Sequence, residues 1–442
     1  MSGARDIGRW LFGRGDICGR RGNGVLELER PALGEGFESH HWCFPDGQRH
    51  DEKPPVNAPT RKHALGLSLI ELMIALLIGS ILMLGVIQVF SASRNAYQLS
   101  QGMARVQENG RFAMDYLQRD VRMVGHYGCV NDQARLQTPN LFTSYVTGGD
   151  NELNFAISLQ GYEANGTGPE DTVTMATPQA GWQPGLPAYL SVLNPKPGSD
   201  IIVLRFFQGS GVPVTVVSPE QLTVLAANWR ALTGDGIGNP ALFGVADCTY
   251  ADIFQASATN PGAGTVDTTS SGGVRTGIPD FVGHYTATPS GQATLYRAES
   301  MVYYVATRQG AAVSSLYRTR FGTDVNGTTV TTATEELVEG IDSIQLIYGQ
   351  DQSTDVSSLT GNVGRLATAN TLGPAVANEN AWRSVEQVRI GVIASSADVA
   401  ASAQRTEVSL TALGTTFTAP NDGRFRSSYE SVVALRNRLY GN

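Results

Sequence analysis

A lone carboxylate, Glu71, lies near the start of an otherwise uncharged run, Leu67–Phe90, which reads LSLIELMIALLIGSILMLGVIQVF. From Leu72 to Phe90 no residue carries charge. An apolar run of about 18 or more residues is long enough to cross a bilayer as a helix. A carboxylate within such a run is costly unless something pairs with it. The chemistry open to Glu71 is therefore recognition of a cation rather than catalysis. Arg61 and Lys62 lie just upstream. Basic residues hold their end of an apolar helix in the cytoplasm, so the bulk of the chain is expected across the membrane.

The other reactive residue types form no catalytic set. Beyond residue 66 there are two histidines, His126 and His284, far apart in sequence, and no G-x-S-x-G, H-E-x-x-H or Walker pattern occurs. Cys18, Cys43, His40 and His41 fit no compact zinc spacing. Asp324-Val325-Asn326-Gly327 and Asp351…Asp355 are short acidic loops without EF-hand spacing, and turn chemistry is the expectation for both. Gly234-Asp235-Gly236-Ile237-Gly238 superficially resembles a nucleotide loop, but it neither follows a clear strand nor opens a clear helix, so it reads as a turn. No metal, cofactor or enzymatic activity is expected. Cys129 and Cys248 are the two cysteines beyond residue 66. In an oxidising compartment they are expected to form a disulfide; the alternative is two buried thiols. The bond would close a loop of about 120 residues, for which chain entropy gives roughly 4–5 kcal/mol less any strain.

Composition narrows the class. The 442 residues suffice for two or three domains, include 50 glycines, and are only 16% charged. That suits a loop-rich, secreted β protein. Net charge is −8, and residues beyond 66 hold 22 Lys+Arg against 31 Asp+Glu. An acidic domain is a poor binder of nucleic acid or anionic lipid, since phosphate contacts need clustered cations.

The elements that position Glu71 are legible from periodicity. No proline occurs between Pro59 and Pro139. After Phe90 the apolar positions Leu99, Met103, Val106, Gly110, Ala113, Leu117, Val121 and Val124 recur every three or four residues, one face of a helix. Gly125 and Gly128 then signal a stop. A helix over 67–125 is expected, with 67–90 in the membrane. Beyond it the texture changes to short strands between turns. Strands are expected at Glu152–Ile157, Asp171–Ala176, Asp200–Phe207, Val214–Val217, Ser300–Ala306, Ser315–Arg320, Ile344–Gly349, Gln387–Ala394 and Thr406–Leu413, with a short helix at Glu335–Ile341 and loops at Gly234–Pro240 and Pro261–Gly277. The fold class is α+β: a long N-terminal helix packed on antiparallel sheets. The regions are 1–66, which shares no periodicity with the rest, 67–125, a β-rich region 126–295, and a C-terminal sheet region 296–442.

The order Gly66-Leu67-Ser68-Leu69-Ile70-Glu71 before the apolar run resembles the prepilin signal of the type IV pilin superfamily. The resemblance implies cleavage between Gly66 and Leu67 by prepilin peptidase, N-methylation of Leu67, and pairing of Glu71 with a neighbouring subunit's N-terminal amine to set assembly register. Three further stretches are similar to PilW-type minor pilins. They are Val106–Asp115 with Arg119–Cys129, then Glu336–Asp351 with Trp382 and Val388–Val392, and finally Val433–Leu439. Residues about 140–295 match only loosely and would be the variable, partner-facing part. Residues 1–60 depart from the short leaders of the family; either translation begins nearer Val56 or Arg61, or a long leader is removed. Partners implied by the family are other minor pilins, the major pilin, prepilin peptidase, the inner-membrane assembly platform and the inner membrane. The implied role is initiating pilus assembly in a tip complex, with motility, adhesion or DNA uptake as consequences. The alternatives are a J-type pseudopilin of type II secretion and a membrane-anchored periplasmic adhesin or enzyme.

Overall fold

The computed structural model describes residues 68–130, 141–147, 152–234, 236–269, 272–353, 355–356, 358–400 and 408–438. The chain falls into two units, Met1–Leu69 and Ile70–Asn442, and of the first only Ser68 and Leu69 are described.

One unbroken helix, α1, spans Leu69–Met123. At 1.5 Å per residue its 55 residues measure about 82 Å. Its apolar first part is long and uncharged enough to cross a membrane, and none of that window is buried in the protein. Its second part buries Gly102, Val106, Gly110, Ala113, Met114, Leu117, Asp120 and Val121. The expected stripe is thus present with one shift: Met103 faces outward and Gly102 takes the inner position. The cause is the close approach of Ala400, whose Cβ would lie 3.2 Å from a Cβ at Gly102. The helix stops where Gly125 adopts φ +71°, a conformation suited to a glycine after a helix end.

Strands beyond the helix form three sheets. The largest has twelve strands and runs, in part, Phe142–Ser144, Ala251–Gln255, Leu242–Ala246, Thr294–Ala306, Ile201–Ser218. Thr294–Ala306 also pairs with Ser315–Thr323, which pairs with Val330–Glu339. The sheet therefore draws strands from both sides of residue 295. A four-stranded antiparallel sheet follows in the order Val363–Ala367, Ile341–Asp351, Val385–Ser395, Arg426–Ala434. A small third sheet joins Ser409–Ala412, Thr415–Thr418 and Thr172–Thr174. One hydrophobic core lies under the helix, where Val106, Leu117 and Val121 meet Leu204, Val305, Leu316, Leu346 and Ile390. A second, around Tyr127, Phe155, Val203, Phe207 and Tyr304, fills the opposite face of the large sheet.

Most expected strands are present with extended limits. Asp200–Phe207 and Val214–Val217 are one strand, Ile201–Ser218, bent where Gly209 and Gly211 take positive φ. Three expectations are overturned. Within the loop expected over Pro261–Gly277, Thr265–Asp267 is a strand paired with Gln221–Val224 and Ala258–Asn260. Glu152–Ile157 is a series of turns and the strand begins at Leu159. Arg205 takes the Glu152 and Ile157 carbonyls, and Ser300 also donates to Glu152, so these groups are spent on side chains. Glu335–Ile341 is not a helix. Its residues belong to the strands Val330–Glu339 and Ile341–Asp351, separated by Gly340 at φ +77°. Cross-strand cations decide this: Glu335 meets Arg318 and Arg320 at 2.8 Å each, and Glu336 accepts from Ser315 at 2.7 Å. Such partners outweigh the modest helix propensity of Glu and Leu. Of Thr406–Leu413, Ser409–Ala412 is strand and Thr406 and Glu407 lie outside the described residues.

Candidate functional site

The residues singled out for processing, Gly66 and Leu67, lie outside the described residues, as do Cys18, Cys43, His40 and His41. Glu71 occupies the first turn of α1, where a negative charge complements the helix dipole, and it stands in the exposed apolar part. The structure therefore presents Glu71 at one end of a helix whose other end is gripped by the β region.

That grip is built from side chains on several elements. Tyr429 lies against Gly110, where a Cβ would fall 2.2 Å from its ring, and its hydroxyl donates to the Val106 carbonyl at 3.2 Å. Asn109 donates to the Glu339 carbonyl at 2.8 Å, and Gln118 to Ser431 at 2.9 Å. Arg105 pairs with Asp398 at 2.8 Å, but both are exposed and such a pair contributes little. Asp120 is the one charged residue of the buried face. The Tyr303 hydroxyl donates to it at 2.5 Å, Arg318 at 3.2 Å and the neighbouring Arg119 at 3.0 Å. Burial, and then the Asp120 charge, pushes the Tyr303 phenol far above its ordinary range, so it stays a donor. At the helix C-terminus Asn437 donates to the Arg122 carbonyl at 2.9 Å, satisfying a group that a helix end leaves open. Past the helix end, the Gly125 N–H donates to the Arg205 carbonyl at 3.3 Å.

Just beyond the helix, Cys129 is bonded to Cys248 with their Cα atoms 4.7 Å apart. The bond ties the segment leaving α1 to the turn between Leu242–Ala246 and Ala251–Gln255. Sequence reasoning missed Tyr303, Arg318, Tyr429 and Asn437; only the notch at Gly110 left a trace, as a glycine inside an apolar stripe. Phe112 is exposed, whereas Tyr116 packs against the core. Arg111–Asp115 forms only a loose exposed pair at 3.8 Å.

The remaining candidates are occupied by turn and packing duties. Asp351 accepts from the backbone N–H groups of Ser353, Thr360 and Asn362; against the upward push of burial, the bonds from Ser353 and Thr360 hold its carboxyl below the usual range. Gly234 and Ile237 exchange backbone bonds, closing a turn. His284 Nδ1 lies 2.8 Å from Asp252, to which Tyr285 also donates, and stacks on Tyr250. Burial pushes the Asp252 carboxyl up. No group of three or more metal-ligating side chains occurs among the described residues.

The seat of the helix is also where likeness to known proteins concentrates. Residues 302–437 match the family described as Type IV Pilus-assembly protein W, and residues 61–87 match the Prokaryotic N-terminal methylation motif. The chain carries a PilW domain behind a prepilin-type methylation motif. No curated protein and no solved structure matches. Tyr303, Arg318, Glu339, Asp398, Tyr429, Ser431 and Asn437 all fall within the PilW match. The matched PilW region thus supplies the side chains that bond α1 along its second part, and the described portion of the methylation match, up to Ile87, belongs to the first part of that helix. The two matches support a type IV pilus minor pilin.

Proposed function

We propose that the chain is a minor pilin that is inserted in the inner membrane with its β region in the periplasm and helps initiate type IV pilus assembly in a tip complex. Prepilin peptidase would cut between Gly66 and Leu67, and Leu67 would be N-methylated. In the assembly Glu71 would meet the free amine of a neighbouring subunit, which fixes axial register because an unpaired carboxylate in hydrocarbon is costly. The regions take separate tasks in this reading: 67–125 for membrane and fibre, 126–295 for partner contacts, and 296–442 as the seat of the helix. Other minor pilins, the major pilin and the assembly platform are the partners. The observation that carries it is one unbroken helix that begins within the matched methylation motif and, further along, packs against side chains of the matched PilW region.

The test is the N-terminal residue and mass of the membrane-fraction protein, with and without prepilin peptidase. N-methyl-Leu67 that depends on the peptidase is expected. An N-terminus indifferent to the peptidase would sink the reading and favour a signal-anchored protein. Glu71→Val should still be cleaved yet fail to enter fibres.

A further inference from the structure

Val330–Glu339 is an outer strand of the large sheet and, among the described residues, pairs only with Ser315–Thr323. Its first five residues, Val330-Thr331-Thr332-Ala333-Thr334, are uncharged, and Thr331–Thr334 are exposed. Edge strands are usually blunted by Lys, Pro or a bulge. This stretch has neither residue type, and the one irregularity in its pairing lies toward the other end, at Leu316/Tyr317. Five residues leave a row of outward backbone groups roughly 17 Å long.

A cleft of about 270 Å³ adjoins that edge. Thr331–Ala333 form one wall and Gly236–Leu242 the other. A Cβ at Gly236 or Gly238 would meet nothing within 4 Å, so the second wall's backbone stands clear. The floor contains Arg297, Glu299 and Arg320, exposed by only 4%, 3% and 6%. Their charges are already matched. Arg297 donates to Glu299 at 2.5 Å, and Arg320 and Arg318 share Glu335 at 2.8 Å each. Arg318 then reaches Asp120 at 3.2 Å.

We propose that this edge and cleft receive an extended segment of another protein, which joins the sheet beside Val330–Thr334 and sets one uncharged polar side chain (Ser, Thr or Asn) in the cleft. Backbone pairing would supply affinity and the cleft specificity, as in other strand-addition sites. A charged side chain is disfavoured because it would be desolvated over a floor whose buried arginines and glutamates already pair with one another or with Glu335. A hydroxyl or amide adds no charge and can share the donors and acceptors there. A second copy of this chain is a poorer occupant. Pairing along the whole edge would bring Glu335 and Glu336 of two copies close together, and like charges across strands repel. The proposal goes beyond the pilin reading and does not depend on N-terminal processing.

The test is fluorescence anisotropy with full-length protein in detergent micelles. The probes are a labelled octapeptide of alternating Thr and Val, the same peptide with one Thr replaced by Glu or Lys, and a version N-methylated at alternate backbone nitrogens. The neutral peptide should bind, the charged peptides at least tenfold more weakly, and the N-methylated one not at all. Thr332→Lys and Ala333→Lys should each weaken binding at least tenfold with unchanged melting temperature. No binding of the neutral peptide, equal binding of the N-methylated or charged peptides, or indifference to both lysine variants would overturn the proposal. So would a dimer of the chain that either variant returns to monomer, which would assign the edge to self-pairing.

Discussion

The Tyr429 ring fills a notch that Gly110 leaves in the long helix: a Cβ at that glycine would sit 2.2 Å from the ring. The same tyrosine's hydroxyl bonds the Val106 carbonyl, so it grips the helix at two successive turns. The glycine's value here is absence of bulk, since a helix interior otherwise disfavours it by roughly 0.5–1 kcal/mol relative to alanine. Gly110→Ala should therefore destabilise the protein by about 1–3 kcal/mol despite improving helix propensity. Thermal unfolding of the single variant and of Gly110→Ala combined with Tyr429→Leu checks this. The second change should recover part of the loss, and a rise in melting temperature for Gly110→Ala alone would refute the notch.

Asp120 joins the helix to two strands of the large sheet through Tyr303 and Arg318. Removing one partner of a buried charged set costs roughly 3–5 kcal/mol. Asp120→Ala is expected near the lower figure, because Arg318 keeps Glu335. Tyr303→Phe should cost less, about 1–2 kcal/mol, by losing one charged hydrogen bond. Urea midpoints at constant slope would measure both, and equal, negligible effects would remove this anchor.

Glu163 and Asp200 are buried near one another beneath Tyr348, whose hydroxyl has no hydrogen-bond partner among the described residues. Burial, then the Asp200 charge, pushes the Glu163 carboxyl well up; burial also raises Asp200, against backbone N–H bonds from Ala164 and Leu346. A carboxyl whose folded-state value is raised stabilises most below its ordinary value of 4.5 and loses that stability as pH rises toward the folded value. Stability should accordingly fall from mildly acidic to alkaline pH. Glu163→Gln should flatten the fall and melt higher than the parent at alkaline pH. Parallel pH profiles for the two proteins would show that Glu163 is not responsible.

The Cys129–Cys248 bond spans 119 residues, and both cysteines are exposed. Loop closure of that length contributes up to roughly 4–5 kcal/mol in the chain-entropy model. Cys129→Ser should lower yield from an oxidising compartment and increase protease sensitivity. Identical proteolysis of the parent with and without reductant would show the bond to be energetically idle.

Local patterns announced the parts that depend on local spacing. The apolar run before Phe90, the stripe from Val106 to Val124 and the buried strand at Ile201 follow from period and length alone. The misread segments are those where distant side chains decide. Glu335 and Glu336 look helical until Arg318, Arg320 and Ser315 are placed across from them. The carbonyls of Glu152 and Ile157 look free for a ladder until Arg205 claims them. The seat of the helix was hidden for the same reason, since Tyr429 and Asn437 lie more than 300 positions from the turns they hold.

The order of those contacts has a mechanical consequence. Tyr429 meets the helix at Val106, Ser431 at Gln118 and Asn437 at Arg122, so the final strand and the segment after it run the same way as the helix. A pull along the helix axis would load these attachments in shear. They would bear tension together instead of peeling one after another, and the end of the chain would act as the tether.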